Sequence, residues 1–166
     1  MLSSTEGNMA TEGRFGSERD YVQMVDLLAA WQEDPGDIRS AFLRLKRHVS
    51  EKGSTLFFFK SRPGISYSLR ATLAGSGSGD DRLFAMVDII DDDPENRWLS
   101  VCFYGDAITD PDQEGDLVPD GISGEDGYCF DLYQYDESAI SYLEQRIDEA
   151  YENTLRFDPG GGLSRL

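Results

Sequence analysis

Thr55–Thr72 reads TLFFFKSRPGISYSLRAT, and a change of period within it decides the fold. Thr55 to Ser61 is too rich in β-prone side chains to continue a helix. Pro63 and Gly64 then stand where a type II turn takes proline and glycine. Beyond the turn, Ile65, Tyr67, Leu69 and Ala71 alternate with Ser66, Ser68, Arg70 and Thr72, the two-residue period of a half-buried strand. The stretch is a β-hairpin with one face turned to a core.

Upstream of it the period is helical. Ile38, Phe42, Leu45 and Val49 fall at i, i+4, i+7 and i+11, which predicts a helix over 37–52. Arg39, Lys46 and Arg47 take its opposite face, and Gly53 supplies the stop. An earlier helix, 18–33, opens at Ser17 as N-cap with Asp20 three residues on, and turns Tyr21, Val25, Leu28 and Trp31 inward. Asp34-Pro35-Gly36-Asp37 separates the two.

Downstream, Gly75–Asp81 (GSGSGDD) reads as a hairpin tip rather than a phosphate loop: it lacks the Lys-Ser/Thr and carries two carboxylates. Leu83–Ile90 and Trp98–Tyr104 are the next strands, joined through Asp91–Asn96. A long loop over 106–126 carries glycine and acid, and Tyr128–Tyr133 is the last strand. Asp136 caps a final helix, 136–156, whose Ile140, Leu143, Ile147, Tyr151 and Thr154 or Leu155 share a side. The pattern predicts an α+β fold: an antiparallel five-stranded meander sheet, with two N-terminal helices and one C-terminal helix packed on one face. Residues 17–157 form a single domain between disordered tails at 1–16 and 158–166. With 39% hydrophobic residues in 166, the chain has material for a core without a metal or disulfide staple.

Charge is the strongest compositional signal. The net charge is −17, which excludes binding that relies on lysine and arginine displacing counterions from nucleic acid or anionic lipid. The total hides an asymmetry. Between Ile38 and Thr72 lie eight basic side chains and one acid, +7, leaving −24 for the rest. Folding should bring the basic stretch against the acidic one. An acidic surface that remains would suit a protein partner with a basic surface.

Cys102 and Cys129 each lie in an apolar, strand-like run, and their spacing fits no zinc or redox motif. The expectation is two buried free thiols in a reducing compartment. No apolar run approaches the roughly 18 residues of a membrane span, and the amino terminus has no signal-like pattern, so the expected address is cytoplasmic.

Three groups of residues could carry chemistry. His48 is the only histidine and sits beside Arg47, which disfavours a histidine relay and leaves a helix-surface role. Lys60, Arg62, Tyr67 and Arg70 surround one hairpin and could bind a carboxylate or phosphate; pairing with the acids of Asp91–Glu95 is the structural alternative. Asp110, Asp112 and Glu114 fall at positions 1, 3 and 5 of a calcium-loop pattern with Gly115 at 6 and Asp116 following. Position 12 is Gly121 rather than glutamate, and prolines interrupt the run. No nucleophile–base pair and no cofactor motif can be named. The reading is a non-enzymatic protein-interaction module, the alternative a small-ligand or divalent-metal domain using the hairpin or the acidic loop.

Overall fold

The computed structural model describes residues 13–73 and 83–156. The expected hairpin tip at 75–81 and the carboxy-terminal tail lie outside the described residues, as does most of the amino-terminal tail. Three helices and a seven-stranded mixed sheet make an α+β fold. In chain order they are β1 (Arg14–Phe15), α1 (Glu18–Ala30), α2 (Ile38–Ser50), β2 (Thr55–Arg62), β3 (Ser66–Leu73), β4 (Leu83–Ile90), β5 (Trp98–Tyr104), β6 (Asp116–Ile122), β7 (Glu125–Leu132) and α3 (Glu137–Arg156). The sheet order is β1-β2-β3-β4-β5-β7-β6.

Two strands go beyond the five expected. Residues 13–16, assigned to a tail, include β1, which pairs parallel to β2 through Arg14–Leu56 and Phe15–Phe57. Two residues are too short a run to show a period. The expected loop 106–126 contains β6, an edge strand whose side chains are exposed except for Ile122. Its sequence, DLVPDGI, holds proline, aspartate and glycine, which oppose strand propensity. They also make the irregularity between Val118 and Ile122, with Asp120 at φ 56°. Such a break blunts an exposed sheet edge. At the other end, the Asp20 carboxylate accepts the Phe59 N–H of β2 at 2.9 Å, satisfying one outward-facing donor.

The hairpin follows the sequence closely. Gly64 takes φ 83° and the Ile65 N–H donates to the Arg62 carbonyl at 2.9 Å, closing the type II turn. Directly opposed cross-strand residues share a face. Phe59, Leu69, Val87, Val101 and Phe130 therefore form one apolar row, and Tyr67, Ile89, Leu99 and Leu132 the next. These rows join Met24 and Leu27 of α1, Phe42, Leu45 and Val49 of α2, and Ile140, Leu143 and Ile147 of α3 in one buried cluster.

Helix details differ in two places. In α1 the buried residues are Met24, Leu27 and Leu28, whereas Val25 is 38% exposed. In α2, Lys46 is buried, with its ammonium 5.7 Å from the centre of the Phe57 ring. A long aliphatic stem lets lysine occupy an apolar seam while the cation meets a ring face. Ser17 caps α1 as expected, accepting the Asp20 N–H at 3.1 Å. The cap of α2 comes from Asp34, whose two oxygens accept the N–H groups of Ile38 and Arg39 at 2.8 and 2.9 Å.

The cysteines depart from expectation. Cys102 of β5 and Cys129 of β7 are direct cross-strand partners and are joined as a disulfide. Free thiols were expected because the spacing says nothing of register; only the β5–β7 ladder sets the two sulfurs face to face. The argument for a reducing, cytoplasmic address loses that support. No helix among the described residues is long and apolar enough to cross a membrane.

Candidate functional site

The basic stretch is largely consumed by folding. Arg44, His48 and Lys52 lie four residues apart along α2 and beyond its end, so they form one ridge facing α3. Arg44 makes a fork to Glu144, at 3.2 and 3.0 Å, and reaches Glu137 at 2.6 Å. The His48 Nε2 lies 2.8 Å from the Asp148 carboxylate, which also pairs with Lys52. Glu137 is held below the usual carboxylate range by the Arg44 guanidinium. Asp148 is pushed up by burial, but the Lys52 and His48 contacts outweigh this and hold it low. His48 is thus half-buried in an ionic seam rather than a free surface histidine.

The hairpin cluster is split by the pleat. Lys60, Arg62 and Arg70 stand on the sheet face opposite the helices. Tyr67, one register step away, faces inward, is 9% exposed and stacks on Phe59 at 6.3 Å. Its hydroxyl belongs to a structural knot with Asp91, whose carboxylate takes the Gly64 N–H at 2.8 Å and the Arg97 Nε at 2.7 Å. Arg97 in turn lies against Trp31 and Tyr67. Within the acid run 91–95, Asp91 serves the turn and Arg97 and Asp93 accepts from Glu95 and Asn96, while Arg62 and Arg70 lie in the field of another group.

That group is Asp88, which sequence reasoning missed. The face opposite the helices carries a row Lys60, Ser68, Asp88, Ser100, Asp131 across five strands, flanked by Phe58, Arg70, Met86, Cys102, Cys129 and Asp116. Burial pushes the Asp88 carboxyl above its usual range, against the lowering effects of Ser68, Arg70 and Arg62. One of its oxygens is buried without a hydrogen-bond partner. A lone acid inside the central apolar strand LFAMVDII was the available signal.

The acidic loop is built as a strap on α3. The Asn153 amide donates to the Ala107 carbonyl at 2.7 Å, and the Thr109 N–H and hydroxyl donate to Glu149 at 2.9 and 2.8 Å. Asp110 accepts the N–H groups of Glu114 and Gly115 at 3.0 and 2.9 Å and the Tyr142 hydroxyl. Burial pushes Asp110 up, but these donors prevail and hold it low. Its oxygens are spent on the turn. Asp116 lies on β6 opposite Cys129. Among the described residues no cluster of three or more carboxylate, histidine or cysteine ligands could hold a metal ion.

The strap instead forms a wall. Between it, β7 and the first half of α3 lies a pocket of about 470 Å³. Phe130, Leu132 and Leu143 supply its apolar floor, and Asp112, Glu114 and Asp136 its carboxylates, with Asp131 at its edge; among the described residues no lysine, arginine or histidine lines it. Gly115 is needed at the wall, because a Cβ there would lie 2.6 Å from the Phe130 ring. Asp136 also caps α3, accepting the Ala139 N–H at 3.0 Å. At the far end of β7 a second hollow of about 550 Å³ is lined by Asp106, Glu125 and Asp126 beside Leu117 and Tyr128. The chain matches no protein-family model, no curated protein and no solved structure.

Proposed function

We propose that this chain is a non-enzymatic protein-interaction module whose pocket beside α3 receives a basic side chain from a partner protein. The observation that carries this reading is the pocket's lining: the carboxylates of Asp112, Glu114 and Asp136 around an apolar floor, with no basic residue among the described ones. An arginine or lysine suits such a site, since its aliphatic stem covers apolar surface while its cation meets the acids. Arg44, His48 and Lys52 are engaged in the seam, and Arg62 and Arg70 lie in the field of Asp88 on the other sheet face. A net charge of −17 would draw a basic partner in and make its association salt-sensitive.

The test is a titration with N-acetyl-arginine amide, followed by backbone amide NMR. Shifts confined to Asp112–Glu114, Phe130–Leu132 and Ser138–Gln145, weakened by salt and lost in the Asp112→Asn, Glu114→Gln double variant, would support the reading. Shifts spread over the whole surface would sink it. Inorganic phosphate, titrated separately, addresses the alternative site at Lys60, Arg62 and Arg70. Selective phosphate shifts there would favour small-ligand binding instead.

A further inference from the structure

We propose that Cys102–Cys129 is a reversible thiol–disulfide exchange site that latches the β6–β7 hairpin, and with it one wall of the acidic pocket. The bond lies on the sheet face opposite the helices, in the row that runs from Phe58 through Arg70 and Met86 to Asp116. Its sulfurs are unequal. Cys102 is 5% exposed, whereas Cys129 is only partly buried. An incoming thiolate must reach one sulfur along the axis of the bond, and the access favours Cys129.

The leaving group is prepared. The Ser100 hydroxyl lies 3.5 Å from the Cys102 sulfur. A disulfide sulfur carries no proton, so the hydroxyl is the donor, and it would donate more strongly to a thiolate. Exchange then runs as follows. A thiolate of an external dithiol bonds to Cys129 Sγ, the S–S bond breaks, and Cys102 departs as a thiolate beside Ser100. The second thiol of the reductant, as thiolate, attacks its own sulfur in the mixed disulfide and releases Cys129. Two electrons and two protons pass from the dithiol, which ends as a cyclic disulfide, to the protein, which ends with two thiols. The sequence has two cysteines, so the bond cannot shuffle within the chain and reforms only as itself.

Sheet order gives the bond its leverage. β6 is attached to the sheet only through β7, and β7 only through β5 on its other side. The disulfide is the covalent tie across that one junction. Phe130, Asp131 and Leu132, immediately after Cys129, line the pocket. Opening the bond leaves the hairpin to its backbone ladder and the packing of Ile122, Phe130 and Leu132. Asp116, opposite Cys129, and the net charge of −17 select against anionic thiols and favour an uncharged dithiol. The coupling to the pocket rests on the proposed function; the exchange chemistry and the latch do not.

The experiment uses the oxidised full chain in native buffer. Dithiothreitol should yield two alkylatable thiols without denaturant, and brief exposure to mercaptoethanol should trap the adduct on Cys129 about tenfold over Cys102. Ser100→Ala should slow reduction several-fold with an unchanged melting temperature. After reduction, amides of β6 and β7 should exchange with solvent about tenfold faster while those of β3 and β4 hold their rates. Reduction that requires denaturant, adducts on Cys102, or an unaltered rate in Ser100→Ala would overturn the exchange site. Uniform acceleration through β3 and β4, or none in β6 and β7, would overturn the latch and mark the bond as a structural staple or a bystander. Arginine amide titrated into the reduced and oxidised forms separates the pocket: equal binding with a loosened hairpin refutes only the coupling.

Discussion

Replacing Arg44 with methionine removes the centre of the ionic seam while keeping an apolar stem against the helices. The lost contacts are unequal. The Glu137 side chain is 71% exposed, so its 2.6 Å pairing stands in water and contributes little. The fork to Glu144 is different: that side chain is 20% exposed and Arg44 itself 27%. Two charge-assisted bonds there, discounted for screening, contribute about 1–2 kcal/mol. Further bonds reach the Tyr135 and Ser141 hydroxyls at 3.1 and 3.3 Å, near the surface. At this chain length a kilocalorie moves the melting temperature by roughly 2–4 °C, so the variant should melt roughly 2–8 °C lower. Calorimetry and urea unfolding measure it, and a double-mutant cycle with Glu144→Gln isolates the pair at about 1 kcal/mol, falling as salt rises. A coupling below about 0.3 kcal/mol would refute the reasoning. It would mean that α2 and α3 dock through their apolar stripes alone and that the basic stretch is not neutralised by folding.

Three other outcomes are expected. Leu143→Ala, at a side chain 3% exposed that also floors the pocket, should cost about 2–5 kcal/mol in urea unfolding; a loss under half of the lower figure would place α3 outside the core. Asp88→Asn should stabilise the protein near neutral pH, because the folded carboxyl has a raised pKa. Such a group contributes stability that is complete below the unfolded value near 3.9 and is lost as pH rises through the folded one. The gap between variant and parent should thus open with rising pH, and a gap independent of pH would contradict the burial argument. Calcium and magnesium at equal millimolar concentration should shift the melting temperature alike, because Asp110 is committed to Glu114, Gly115 and Tyr142. A calcium-selective rise that disappears in the Asp110→Asn, Asp112→Asn variant would restore the metal reading.

Features that depend on neighbours along the chain are legible in the amino-acid order. The helix stripes Ile38-Phe42-Leu45-Val49 and Ile140-Leu143-Ile147, the type II turn at Pro63-Gly64 and the alternation of Ile65–Thr72 are local periods and local φ requirements. The stripes and the turn are realised in the structure; the strand forms as β3, but it is buried on both faces rather than half-buried, and Ile65 stays 61% exposed beside the turn. The general class followed, and so did the expectation that basic and acidic stretches would meet; that the pairing runs between α2 and α3 appears only in the structure. Tertiary structure alone decided register and edges. Register set Cys102 opposite Cys129, put Arg62 and Arg70 near Asp88, and turned Tyr67 away from both. A shift of one residue exchanges the faces of a strand, and no count along the chain reports it. β6 forms in a stretch whose own propensities oppose it because the β7 ladder supplies partners for its backbone. The pocket has the same origin. Its carboxylates come from the strap and the residue that caps α3, and they converge because Asn153, Glu149 and Tyr142 hold the strap on α3 at contacts 30 to 46 residues apart.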